Sequence, residues 1–510
     1  MENNNRTPLE RALSRALAAT VCDRLPFFSV LAFGFAAHMF AFANKLVNAD
    51  EIESLFGKGA TITSGRWGLE AVKPIFPDYS MPWLYGVISL VLLAVSVCLI
   101  VRLFEIKGKL TQILLAGMIV AFPSQTGTFC FMFTSSAYAL SFLFAVLSAY
   151  LFCRGGVWRS VIAGVLLTLS LGIYQAYIAL AASLLLLYMI KLLLDGDTRA
   201  PAAIKFGLTA LLMMVAALAV YGVITLAVFK LTGAEFNAYV RENTSGAGIL
   251  GRIRMAYDFF IYYLSYREYA LVTSELSRWL HIALFALCFI GIVCRSVKLM
   301  RTGRALDGAL LVVLVLLLPL SVNCMFLAMA KESIHTLVIY SFVAFYVLAA
   351  MLLDGVFSGS ETIKRLARDV CYVSLAVMLM GNVYFANAVY LDMYLEYENA
   401  YSFYSILLAR VENMDGFDEE TKLALIGHQD NAVTTRPEID LGYIMGPSHD
   451  LINIYSRENF LRRYMGSTIP LATAEETEKL SATAEFADME EYPYYGSIQM
   501  IDGYAVVKLG

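Results

Sequence analysis

Apolar runs of about 20 residues recur along this chain, and they constrain its fold more than any other feature. They lie near 25–43, 82–103, 110–127, 129–152, 157–173, 174–194, 206–230, 279–297, 306–328, 335–356 and 369–390. A run of that length crosses the hydrocarbon core of a bilayer as a helix, which satisfies its own backbone there. Composition agrees: 59% of residues are apolar and 16% charged, with a mean hydropathy of +0.66. Soluble domains carry about a quarter charged residues. The expected fold class is a polytopic α-helical membrane protein of about eleven transmembrane helices with the lipid bilayer as solvent. The 157–194 region is ambiguous, being interrupted only by Gly172-Ile173-Tyr174-Gln175. Two short helices joined by a tight turn fit it, and one kinked helix would reverse the parity of everything after it.

Charge distribution tests the count. Alternate connections are basic: Arg102, Lys107 and Lys109; Arg154 and Arg159; Lys191, Arg199 and Lys205; Arg295, Lys298, Arg301 and Arg304; Lys364, Arg365 and Arg368. Residues 1–24, with Arg6, Arg11, Arg15 and Arg24, join that set as a cytoplasmic N-terminal segment. Ala41-Phe42-Ala43 resembles a signal-peptidase site, but the apolar stretch exceeds the roughly 7–15 residues of a signal peptide. The reading is an uncleaved first span within a transmembrane region of residues 25–390. Asn44–Pro82, Leu231–Arg278 and Lys331–His335 then fall on the external face of the plasma (inner) membrane. Arg241, Arg252, Arg254, Arg267 and Arg278 run against the bias; they belong either to a long translocated loop or to a site for a buried anion. Arg252–Tyr269 suits an interfacial helix.

Residues 391–510 form a separate acidic unit with 8 Lys/Arg against 21 Asp/Glu, while the rest of the chain holds 30 against 21. Eleven crossings from an inside start place this tail outside. Its expected elements are a helix over Leu391–Asn413, a strand at Lys422–Gly427, and two strands around Asp502-Gly503. A small extracytoplasmic α/β domain results. All eight cysteines precede it and show no metal-type spacing, so they are read as packing residues. His38 and His281 are read likewise as packed or hydrogen-bonded structural groups, and Asn323 as an interhelical contact.

The insert Asn44–Pro82 carries adjacent acids, Asp50 and Glu51, then Ser64-Gly65-Arg66-Trp67-Gly68. Nucleotide sugars and ATP are absent from the external face, so sugar chemistry there needs a lipid-linked donor such as a polyprenyl phosphate sugar. One carboxylate, Asp50 or Glu51, would take the proton of the acceptor hydroxyl. Cations would hold the donor phosphate as it leaves: Arg66 beside Trp67, with Arg254, Lys331 and His335 as later candidates. Each also has a plain structural reading. Asp50 and Glu51 suit the first turn of a short helix at Ile52–Phe56. Arg66 and Trp67 suit an interfacial anchor, and Lys331 and His335 suit headgroup or capping contacts. No closed metal site is recognisable, although Asp50 and Glu51 could share a divalent cation, Mg or Mn, with the donor phosphate.

Asn48-Ala49-Asp50-Glu51 followed by Ser64-Gly65-Arg66-Trp67-Gly68 resembles the first external loop of the Gtr-type glucosyltransferase-domain family, which includes the phage-type O-antigen glucosyltransferases. Phe122-Pro123-Ser124 and Tyr174-Gln175 are similar again. So are Tyr397-Glu-Asn-Ala-Tyr401-Ser-Phe-Tyr404, Arg410-Val-Glu412 and Leu425-Ile-Gly427 in the tail. The resemblance implies a GT-C-like membrane glycosyltransferase that uses a polyprenyl phosphate sugar, often glucose, to decorate a cell-surface polysaccharide. It carries the loop acid over to Asp50 and Glu51 and places Tyr174 and Gln175 on the acceptor side. The second acidic position is often Asp in the family, so Glu51 is a departure, and which acid is the base stays open. A separate donor synthase and a flippase are the expected partners, and no nucleic acid is. The competing classes are a flippase of a lipid-linked glycan and a non-catalytic scaffold.

Overall fold

The computed structural model describes residues 24–56, 61–77, 79–196, 198–236, 248–265, 273–328, 336–429, 439–446, 450–452 and 454–510. Among these, ten helices are long and apolar enough to cross a membrane. They are Arg24–Ala43, Pro82–Phe104, Lys109–Cys130, Met132–Cys153, Gln175–Asp195, Ala200–Thr232, Glu275–Arg301, Ala305–Val322, Thr336–Asp354 and Thr362–Glu412. The eleventh expected segment is the shorter apolar helix Val157–Ile173, 17 residues long. The chain is a polytopic helical membrane protein with a small sheet region near its C-terminus. Local chemistry sets several boundaries. Pro82 stands at the start of its helix, where a missing N–H costs nothing. Phe122, preceding Pro123, takes extended geometry and splits Lys109–Cys130 into Lys109–Val120 and Pro123–Cys130.

Contact clustering divides the chain into two compact units. The first comprises residues 1–44 and 60–387 and holds the first nine of these ten helices and the start of the tenth. With no hydrophobic drive between spans in lipid, small and hydroxylated residues join them. Ser141 Oγ donates to the Ser170 carbonyl and Ser170 Oγ to the Ser141 carbonyl, both at 2.9 Å. Ser148 Oγ reaches the Ala163 carbonyl at 2.8 Å along the same helix pair. His38 is buried with Nε2 2.8 Å from the Val120 carbonyl; His281 is buried between the Ser277 carbonyl and Tyr346 Oη, each at 2.7 Å. Asn323 Nδ2 donates to the Ala256 carbonyl at 2.8 Å. It thereby ties the end of Ala305–Val322 to the helix Ile249–Ser265.

The ambiguous 157–194 region holds two helices. Val157–Ile173 ends at Tyr174, whose backbone is extended, and Gln175–Asp195 restarts immediately. A cavity of about 470 Å³ confirms the parity, because its walls combine Glu105 and Lys107 with Lys191, Asp195, Lys298 and Lys364. Lys191 Nζ also lies 3.4 Å from Glu105 Oε1. Glu105 and Lys191 share an end only if an even number of crossings separates them. Lys109–Cys130, Met132–Cys153, Val157–Ile173 and Gln175–Asp195 supply four.

The second unit comprises residues 45–59 and 388–510. Its sheet has the order β1-β3-β2, with β1 (Lys422–Ile426) parallel to β3 (Tyr504–Lys508) and β2 (Ile498–Ile501) antiparallel to it. Asp502 and Gly503 both have positive φ, the requirement of the two-residue turn expected there. Strand alternation sends Leu423, Leu425, Ala505 and Val507 to one face and Ala424 and Val506 to the other, and both faces are covered. The first face packs on Ala400, Tyr404, Leu407 and Val411. These residues belong to Thr362–Glu412, one 51-residue helix in place of the separate last span and tail helix expected from sequence. Val47, Ala49 and Ile52 complete the same core. The insert after the first span is thus divided, its Lys45–Gly59 part folding with the second unit.

Candidate active site

In the second unit, Asp50 and Glu51 occupy the first turn of the helix Ala49–Phe56. Asn48 Oδ1 accepts the Asp50 amide at 2.9 Å, capping the N-terminus. Carboxylates in a first helical turn are favoured by the amide dipoles. The helix begins earlier than the sequence suggested, and consecutive positions point about 100° apart on a helix, so the two acids separate. Glu51 is 3% exposed and forms an ion pair with Lys45 Nζ. Asp50 is exposed and hydrogen-bonded to the Tyr455 side chain. Burial, then the adjacent Asp50 carboxylate, pushes the Tyr455 phenol well above its ordinary range, so it keeps its proton and donates. Tyr464 is shifted the same way, first by burial and then by the charge of Glu51. Asn459 Nδ2 donates to Glu53 Oε1 at 2.9 Å, one turn further along.

Glu51 is committed to Lys45 while Asp50 faces outward. Among the described residues no group of three or more His, Cys, Asp or Glu is gathered that could hold a metal ion.

In the first unit, Ser64–Gly68 docks onto the break at Tyr174. Gly65, with φ +73°, turns the chain, and its carbonyl accepts from Tyr221 Oη at 3.1 Å. Gln175 Nε2 donates to the Ser64 carbonyl at 2.9 Å and to Tyr221 Oη at 3.0 Å. Arg66 Nη1 donates to Tyr138 Oη at 3.0 Å, and its guanidinium lies 5.3 Å from the centroid of Tyr174. Tyr174 in turn stacks on Tyr138 with centroids 4.2 Å apart. Trp67 stacks on Tyr221, and its buried indole N–H has no acceptor among the described residues. Gly68 and Gly172 permit the approach: a Cβ on Gly68 would fall 2.6 Å from the Gly172 carbonyl carbon, and one on Gly172 would fall 2.6 Å from the Trp67 ring.

The structure therefore gathers Arg66, Trp67, Tyr174 and Gln175, which sequence reasoning had assigned to two sides of the reaction, into one cluster. Tyr138 and Tyr221 were missed; each is a hydroxyl-bearing aromatic inside an apolar run, which was the available signal. Lys45, Tyr455 and Tyr464 were missed as well, the tyrosines because nothing local marks a partner some 400 residues away. Arg254 has an 82% exposed side chain and pairs with Asp258 at 3.4 Å on its own helix. Lys331 and His335 lie outside the described residues.

Residues 39–353 match the family described as Glucosyl transferase GtrII. The chain belongs to this family. The matched region takes in both acids, the Ser64–Gly68 loop and Tyr174-Gln175, and it makes this GtrII-family chain a membrane glycosyltransferase. The tail motifs at Tyr397–Tyr404, Arg410–Glu412 and Leu425–Gly427 lie beyond the match. No curated protein and no solved structure matches the chain.

Proposed function

We propose that this glycosyltransferase moves glucose from a polyprenyl phosphate donor to a cell-surface polysaccharide on the extracytoplasmic face, with inversion. In this reading the N-terminus is cytoplasmic and the acidic tail extracytoplasmic, as the basic connections on alternate segments favour. A separate synthase makes the donor and a flippase delivers it.

Asp50 is the base. The observation that carries this choice is the contrast between an accessible Asp50, oriented by Tyr455, and a Glu51 sealed against Lys45. Asp50 takes the acceptor hydroxyl proton as the oxygen attacks the anomeric carbon. The bond from that carbon to the phosphate oxygen breaks, and the phosphate leaves with the electron pair. Phosphate is a good leaving group, so no second carboxylic acid is required. Arg66 is the phosphate ligand: Tyr138 and Tyr174 are uncharged partners that hold its guanidinium in place. Trp67, Tyr174 and Gln175 shape the surroundings of that cation.

Incubating membranes that contain the protein with labelled polyprenyl phosphate glucose and polysaccharide tests the reading. Label on the polysaccharide is expected. Passage of the lipid across the bilayer without transfer would overturn it in favour of a flippase. Neither transfer nor passage would leave a scaffold.

A further inference from the structure

The 470 Å³ cavity lies at the other end of the bundle from Arg66. Gln175–Asp195 connects the two places: Gln175 touches the Ser64–Gly68 loop while Asp195 lines the cavity, about 30 Å apart along the helix. Five cations line it, Lys107, Lys191, Arg295, Lys298 and Lys364, against the acids Glu105, Asp195 and Asp354. Most of the negative charge is already committed. Lys191 takes up Glu105 at 3.4 Å and Asp195 at 2.6 Å. Asp354 accepts the Lys107 and Gly108 amides at 2.5 and 2.7 Å and the Thr111 hydroxyl at 3.0 Å. Lys364 pairs with Glu361 at 3.0 Å.

Counting Glu361, five cations face four carboxylates, a net charge of +1, and three of the cations have no carboxylate partner among the described residues. Arg295 donates to the neutral Leu194 carbonyl at 2.5 Å, and Lys107 and Lys298 are exposed with no carboxylate partner among the described residues. The same wall includes the apolar side chains of Phe104, Ile106, Leu194 and Met351. Complementing helix C-termini explains lysines on an open surface, but it does not call for a recess of net positive charge whose wall also carries apolar side chains. That combination matches a phosphodiester carried on an apolar body.

We propose that this cavity binds the phosphate headgroup of an anionic membrane lipid, as a site separate from the glycosyl-transfer machinery. Lys107, Arg295 and Lys298 hold the phosphate, and the apolar side chains of the wall take the first part of the lipid body.

The test uses the full chain in detergent micelles, with dioleoylphosphatidylglycerol as probe, dioleoylphosphatidylcholine as the zwitterionic control, and native mass spectrometry to count retained lipid. Wild type retains phosphatidylglycerol in preference to phosphatidylcholine. Lys107→Ala with Lys298→Ala weakens that retention about ten-fold or more, while Lys107→Arg with Lys298→Arg preserves it. Thermal unfolding confirms that both double variants are folded. Inorganic phosphate distinguishes the sources of the recognised group. Displacement of the lipid at millimolar phosphate identifies a site satisfied by phosphate alone, and no displacement identifies a site that needs the lipid body. Equal retention of the two lipids, or wild-type retention by the alanine variant, overturns the proposal.

Discussion

Asp50 and Glu51 are neighbours in sequence and opposites in environment. A helix turns about 100° per residue, so the two acids point in different directions: Asp50 outward, and Glu51 into the interior beside Ile52. The charge of Glu51 is tolerated there because Lys45 lies against it. Removing one partner of a buried pair costs about 3–5 kcal/mol. Lys45 is 40% exposed and screened by solvent, so the expected loss for Glu51→Gln is smaller, about 1–2 kcal/mol. Thermal unfolding of the full chain in detergent checks this, and an unchanged midpoint would remove the structural role from Glu51. The sequence marked both acids through the Asn48–Glu51 motif, but it could not rank them. The ranking depends on Lys45 and Tyr455, and Tyr455 becomes a neighbour only through tertiary folding.

Elements were legible wherever a local rule sets them. The apolar runs predicted the spans, and Asp502-Gly503 predicted the β2–β3 turn. What the sequence hid were arrangements that depend on packing. These are the continuity of Thr362–Glu412 and the docking of Ser64–Gly68 on Val157–Ile173. The docking rests on Gly68 and Gly172, whose backbones leave no room for a Cβ. Gly68→Ala should cost about 1–3 kcal/mol and lower glycosyl transfer, because the Gly172 backbone cannot move aside. Gly164→Ala on the same helix meets only Met213 Cγ at 3.9 Å and should be neutral or slightly stabilising. Transfer assays and unfolding of the two variants side by side check the contrast. Against the sheet, Glu476 of the helix Ala474–Ser481 accepts from Lys422, the Thr473 amide and Tyr504, and Lys422 above all holds its carboxyl down to about 2. A depressed folded value means the stabilisation is complete above the ordinary 4.5 and lost as pH falls toward about 2. Hydrogen exchange of β1 and β3 amides in the full chain should therefore show Glu476→Gln less protected at pH 7. The gap should narrow by pH 3. A gap that persisted or widened would contradict the ion-pair account.

For the whole molecule, the charge bias assigned faces and the cavity lined by Glu105, Lys107, Lys191 and Lys298 establishes which connections share an end. The proposed orientation puts that end in the cytoplasm and the stretch before Pro82 outside. With Cys294→Ser removing the thiol exposed among the described residues, and Cys22→Ser removing the one outside them, an impermeant maleimide should label Ile75→Cys in intact cells. It should label Ser358→Cys, at the cavity, only after permeabilisation. Labelling of both from one side would contradict the topology. The match to the GtrII family establishes a glycosyltransferase; the account's central claim is that Asp50 activates the acceptor against a lipid-linked donor. Single-turnover transfer from polyprenyl phosphate glucose by the purified full chain tests it most directly. Asp50→Asn should slow the chemical step about 10²–10⁴-fold with donor binding retained, while folded Glu51→Gln keeps transfer within about ten-fold of wild type. Wild-type transfer by Asp50→Asn, or a loss confined to Glu51→Gln, would contradict it.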